Sequence, residues 1–108
     1  LSSDWKKLER DGKVAILVSP GFGAGWSTWA SPEQREQAMF DSRLVEVILN
    51  NETVSKDQVE EWFGGDAPYD GGVDQLIVEW LPKGTAFTIE EYDGSESLRL
   101  IEYLAYTA

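Results

Sequence analysis

The chain has 108 residues, enough for one hydrophobic core and too few for two, and its 42% hydrophobic and 27% charged residues are those of a globular domain. It carries neither cysteine nor histidine, which excludes thiol nucleophiles, disulfides, zinc sites built from those residues and the usual near-neutral general base. Twenty acidic against nine basic residues give a net charge of −11, a field that repels nucleic acid and anionic membranes.

A single domain spanning residues 1–108 is therefore expected, with no signal peptide, no spanning segment and a cytoplasmic location. The chain opens on Leu1 rather than methionine, which reads as a processed, trimmed or replaced start. Asp4 to Arg10 offers an aspartate cap and apolar residues three apart, predicting a short helix that ends near Asp11-Gly12. Val14 to Val18 is a continuous apolar run rich in β-branched residues, the pattern of a central strand buried on both faces. Ser19-Pro20 ends it, because proline cannot donate to a strand ladder.

Helix chemistry follows. Ser31-Pro32-Glu33-Gln34 combines a cap, a first-turn proline and an acid, predicting a helix to about Met39. Asp41 or Ser42 then caps a second helix, in which Leu44, Val45, Ile48 and Leu49 form one stripe before Asn50-Asn51 stops it. Ser55 and Gln58 make a capping box for a third helix carrying Val59, Trp62 and Phe63, ended by Gly64-Gly65. Asp66 to Gly72 is turn chemistry throughout.

From Gln75 the period shortens to two. Leu76–Leu81, Thr85–Tyr92 and Leu98–Tyr106 read as strands joined by turns at Pro82-Lys83-Gly84 and Asp93-Gly94-Ser95. The expected fold class is α+β: one mixed or antiparallel sheet with a C-terminal three-stranded meander and two or three helices packed on it.

The stretch from Ser19 to Trp29 concentrates unusual residue types directly after the buried strand. Clustered glycines after a strand are found in phosphate-binding loops, where they let backbone amides approach an anion. Here Trp26 stands where the dinucleotide fingerprint needs its third glycine, and no Gly-Lys-Ser/Thr is present for a Walker loop. Two readings of the loop stand. In one, the glycines make a tight turn and both tryptophans enter the core. In the other, Gly21, Phe22, Gly23 and Gly25 form a backbone cradle, Trp26 and Trp29 stack on a flat ring, and Ser27 and Thr28 add hydroxyls.

A second constellation, Glu90 to Ser97, gathers four carboxylates and two hydroxyls around one Asp-Gly turn, with Asp93, Ser95 and Ser97 as its candidate ligand contacts. It lacks the calcium-loop pattern, and a solvated hairpin turn explains the same residues. Arg43, in the first turn of a helix, is unfavourable for the macrodipole, so an external anion or a partner carboxylate is a candidate to hold it, with an ordinary surface arginine as the leading alternative.

Gly21 to Trp29, taken with Val78-Glu79-Trp80-Leu81-Pro82-Lys83-Gly84-Thr85 and Glu91-Tyr92-Asp93-Gly94-Ser95-Glu96-Ser97, resembles a family of small proteins of phage and prophage genomes. The resemblance covers about residues 13 to 100. It implies a phage-related origin and, by analogy of context, a counter-defence role, and it carries over no catalytic residue.

The function expected is capture of a nucleotide-like signalling molecule without turnover, by a homo-oligomer that needs no cofactor or metal. The partners are that small ligand or a host defence protein, with no direct nucleic acid and no membrane. The alternative is an acidic interaction protein that inhibits a host enzyme by presenting carboxylates in place of phosphates. A hydrolase built on the Glu90 to Glu96 carboxylates ranks third, because neither nucleophile nor base has an identifiable partner.

Overall fold

The computed structural model describes residues 5–21, 23, 25–65, 73, 75–100 and 106–108. Within them run β1 (Glu9–Arg10), β2 (Lys13–Val18), α1 (Arg35–Phe40), α2 (Ser42–Leu49), α3 (Lys56–Trp62), β3 (Ile77–Pro82), β4 (Ala86–Tyr92), β5 (Ser95–Leu100) and β6 (Tyr106–Thr107). A one-turn 3-10 helix at Ser27–Trp29 lies between β2 and α1. The fold is α+β with antiparallel sheets.

β2 is the strand around which the rest is layered, and its apolar run explains why. Alternate residues leave opposite faces of a strand. Ala15 and Leu17 enter a cluster with Leu44, Val45, Val59 and Phe63 of the helical layer, whereas Val14, Ile16 and Val18 enter a second cluster with Met39, Phe40 and Phe87. Within the second cluster Phe40 meets Phe87 edge to face, with ring centres 5.9 Å apart.

The strands divide between two three-stranded sheets, ordered β1-β2-β3 and β5-β4-β6. β3 pairs with β2, from Val18↔Ile77 to Lys13↔Pro82, and not with β4 as a simple meander would have it. That register sets Trp80 beside Ala15 and Val78 beside Leu17, so both join the apolar face over the helices. The Pro82-Lys83-Gly84 turn then carries the chain to the other layer, with the Lys83 amide donating to Gly12 and the Gly84 amide to Ala108.

Two boundaries differ from the sequence-based expectation. The predicted N-terminal helix is absent over the described residues 5–10: Asp11-Gly12 closes the β1–β2 hairpin with φ of 55° and 77°, the left-handed pair a two-residue type I′ turn requires. That geometry matches strand twist, so a good hairpin signal prevails over a weak helix signal. The same turn chemistry at Asp93-Gly94 places Ser95 opposite Tyr92 and starts the next strand at Ser95 rather than Leu98. Residues 101–105 of that predicted strand lie outside the described residues, as does the turn-rich stretch Asp66 to Gly72.

The caps of α2 and α3 follow the sequence closely, and that of α1 does not. The Asp41 carboxylate accepts from the Arg43 amide at the start of α2, and the Ser55 hydroxyl accepts from the Gln58 amide at the start of α3. α1 begins at Arg35, one turn later than its serine and proline imply, because Ser31 to Gln34 forms a separate turn closed by the Gln34 amide on the Ser31 carbonyl. No helix among the described residues is long and apolar enough to cross a membrane.

Candidate functional site

The glycine-rich loop and the Asp93 to Ser97 turn meet. The Gly23 amide donates to the Asp93 carbonyl at 2.6 Å, the Ser95 hydroxyl to the Pro20 carbonyl at 2.7 Å, and the Glu96 amide to the Ser19 carbonyl at 2.8 Å. Phe22, expected in the cradle, lies outside the described residues.

At the centre of this junction is Glu96, 2% exposed. Its Oε1 accepts from the Ser19 amide at 3.0 Å. Its Oε2 accepts from the Trp26 amide at 2.7 Å, the Thr28 amide at 3.0 Å and the Thr28 hydroxyl at 2.6 Å. A buried carboxylate is costly unless donors surround it, and four among the described residues do so here. The loop is thus an anion cradle of clustered amides, filled from within by the chain's own carboxylate. Thr28, predicted as a ligand hydroxyl, has turned its Oγ1 towards that carboxylate.

The tryptophans separate. Trp26 is fully buried, donates its indole N–H to the Ala38 carbonyl at 2.5 Å and meets Phe63 edge to face at 5.8 Å. It offers no face to a ligand, because the run of buried residues around it needs its volume for the core. Trp29 is 43% exposed, and its ring lies so close over Gly25 that a Cβ there would sit 2.7 Å from it. Only glycine allows that approach.

Arg43 is held by a partner carboxylate. Its Nε and Nη2 reach Asp41 at 3.0 and 2.8 Å, and its guanidinium lies 5.2 Å from the centre of the Trp62 ring. Asp41, wholly buried, also accepts from Gln37 Nε2 at 3.0 Å. This clamp joins α1, α2 and α3 and accounts for Arg43 without an external anion. The acidic turn likewise divides by role: Glu96 faces inward, Glu91 accepts from the Gly94 amide at 2.7 Å, and exposed Glu90 pairs with Arg99 at 2.8 Å. Asp93 and Ser97 are exposed, and Asp93 contributes its carbonyl to the junction. Among the described residues no group of three or more potential metal ligands is assembled.

A cleft of about 280 Å³ opens beside the junction. Ser27 and Thr28 form one wall, Arg35 and Met39 of α1 another. β4 supplies Thr88, Ile89 and Glu91, and β6 closes it with Tyr106. Ser27 is 1% exposed and its hydroxyl has no hydrogen-bond partner among the described residues. A buried hydroxyl left unpaired costs about 1–3 kcal/mol, so its position in a cleft wall calls for an acceptor or donor from outside the chain.

Of the residues predicted for binding, Ser27 and Thr28 line the cleft. Gly21, Gly23, Gly25, Asp93, Ser95 and Ser97 shape or neighbour the junction that supports it, and Trp26 and Arg43 serve the core and the helix clamp. Arg35, Met39, Thr88, Ile89, Glu91 and Tyr106 carry no local motif, and only the pairing of β4 with β6 and the packing of α1 bring them together. No protein-family model, curated protein or solved structure matches the chain.

Proposed function

We propose that the protein binds a small nucleotide-like molecule in the cleft beside the Glu96 junction and holds it without turnover. The observation that carries this reading is the unpaired, buried Ser27 hydroxyl in the wall of a cleft lined by four separate elements. The wall mixes a guanidinium, a carboxylate and several hydroxyls with the apolar surfaces of Met39 and Ile89, the combination that orients a small polar ligand. The Ser19, Trp26 and Thr28 amides are engaged by Glu96 and Trp26 is in the core, which supports recognition by the cleft side chains rather than by a glycine cradle with two stacking rings. Ser27 has no base within hydrogen-bonding distance to take its proton, which favours binding over catalysis.

On the motif resemblance, the setting proposed is a phage protein that removes a host signal, acting as a homo-oligomer. Heat-denaturing the purified protein and examining the filtrate by mass spectrometry tests whether it carries a ligand, and calorimetry against cyclic and linear nucleotides tests recapture. A filtrate free of small molecules together with no heat from any nucleotide refutes the reading.

A further inference from the structure

Resting on that binding reading, we infer that the cleft selects a nucleoside monophosphate, with its phosphoryl group on the Ser27 hydroxyl and the Arg35 guanidinium and its hydroxyl or amino donors on Glu91. Size comes first. A volume of about 280 Å³ lies just below the roughly 300–1,000 Å³ range of ligand pockets, which suits one base and one phosphate better than a dinucleotide.

Charge fixes the polarity of the occupant. Arg35 is the one cation among the described lining residues, and its Nε–H donates to the Ala30 carbonyl at 3.2 Å. That bond orients the planar group while its terminal nitrogens keep four further N–H donors in a fixed fork, the arrangement that matches phosphate oxygens. Among the described residues no carboxylate pairs with it. The Ser27 hydroxyl, unpaired in the same cleft, adds a neutral donor to the same acceptor group.

Glu91 supplies the opposite requirement. Its Oε2 is taken by the Gly94 amide, and Oε1 of this cleft-lining residue has no hydrogen-bond partner among the described residues. Arg35 and Glu91 line one cleft without bonding to each other, so an occupant satisfies both only if it brings an acceptor-rich anion and a donor group. A nucleoside monophosphate carries both, the phosphate at one end and ribose hydroxyls or a base amino group at the other. Met39, Ile89 and Tyr106 give its ring an apolar wall.

The test uses the full chain and calorimetry with the four common ribonucleoside 5′-monophosphates, the four matching nucleosides and inorganic phosphate. At least one monophosphate should bind, with its nucleoside and inorganic phosphate each at least tenfold weaker. Arg35→Gln should erase the preference for monophosphate over nucleoside, and Glu91→Gln should weaken both alike. Ser27→Ala should lower monophosphate affinity several-fold while leaving the melting temperature equal or higher, which separates a ligand contact from a folding role. A nucleoside that binds as tightly as its monophosphate, or an Arg35→Gln protein that keeps the preference, overturns the phosphoryl assignment and leaves small-ligand binding standing. A filtrate that holds a different ligand while every monophosphate fails does the same. An empty filtrate with no binding from any member removes both.

Discussion

Replacing Glu96 by glutamine keeps the side chain's shape and removes its charge, which isolates what the buried carboxylate does for the glycine-rich loop. Three donors converge on Oε2 and one on Oε1. Glutamine can offer its oxygen to only one of these two places. With the oxygen at the Oε2 place, its NH₂ faces the Ser19 amide, donor against donor. Each remaining bond loses its charge assistance, about half its strength, and the clash adds about 1–3 kcal/mol. The neutral amide is cheaper to bury than the carboxylate, which offsets part of this loss. The net destabilisation expected is about 2–4 kcal/mol, large against the roughly 5–15 kcal/mol of a typical domain but compatible with a folded protein. Urea denaturation should show a midpoint lower by about 1–3 M at an unchanged slope. Hydrogen exchange at the Trp26 and Thr28 amides should accelerate beyond that of the β2 amides, because local opening of the loop becomes cheaper. A midpoint within error of the parent, with unaltered exchange at both amides, would refute the account of the loop as a cradle closed by Glu96.

Ser27→Ala should stabilise the protein by about 1 kcal/mol in urea, since it removes an unpaired buried hydroxyl, and a loss of more than that amount would mean the hydroxyl has a partner inside the chain. Trp26→Phe should cost about 2–4 kcal/mol by thermal melting, through the lost bond to Ala38 and the volume left against Phe63, whereas Trp29→Phe at its exposed site should stay within about 0.5 kcal/mol. Arg43→Ala should cost about 1–3 kcal/mol because Asp41 stays buried with fewer donors, and nucleotide affinity should not change, which calorimetry on the folded variant checks. Gly25→Ala should displace the Trp29 ring, seen as a shift in tryptophan emission, because the added Cβ occupies its contact distance.

Legibility in the sequence followed the range of the forces involved. β2 was readable because burial on both faces writes itself as an uninterrupted run from Val14 to Val18. The caps at Asp41 and Ser55 were readable because a capping residue and its target are neighbours in the chain. Asp11-Gly12 was misleading only in what it ended: two left-handed residues in a row specify a hairpin more strongly than Trp5 and Leu8 specify a helix. Sheet membership was harder, because the choice of β2 or β4 as partner for β3 depends on which core Val78 and Trp80 fill, a decision taken by residues of the helical layer.

For the site, the loop and the turn were both singled out, and the structure joins them. What stayed hidden was the role of Glu96, an acid between two serines that looks like any solvated strand residue. The available signal was indirect: a loop that releases several amides next to a buried strand needs an acceptor, and the other acidic segment was the natural place to seek it. The acidity of the chain was read as a field that repels nucleic acid and anionic membranes, although one of those acids is itself the anion that the loop binds. Arg35 and Tyr106 gave no signal because their neighbourhood is created by tertiary packing alone.

The Glu96 junction also bears on the order of folding. Trp26 and Glu96 are 70 positions apart, and the carboxylate reaches the loop only after the Asp93-Gly94 turn has brought β5 against β4. Contacts of such separation close late, since the entropy of a long chain loop must be met before they form. The glycine-rich segment is therefore expected to gain its shape after the local β4–β5 hairpin has its own. Substitutions at Glu96 should speed unfolding while leaving the refolding rate nearly untouched. On that expectation the segment that shapes the cleft is among the first to open, and a bound ligand should prolong the lifetime of the folded state by closing it.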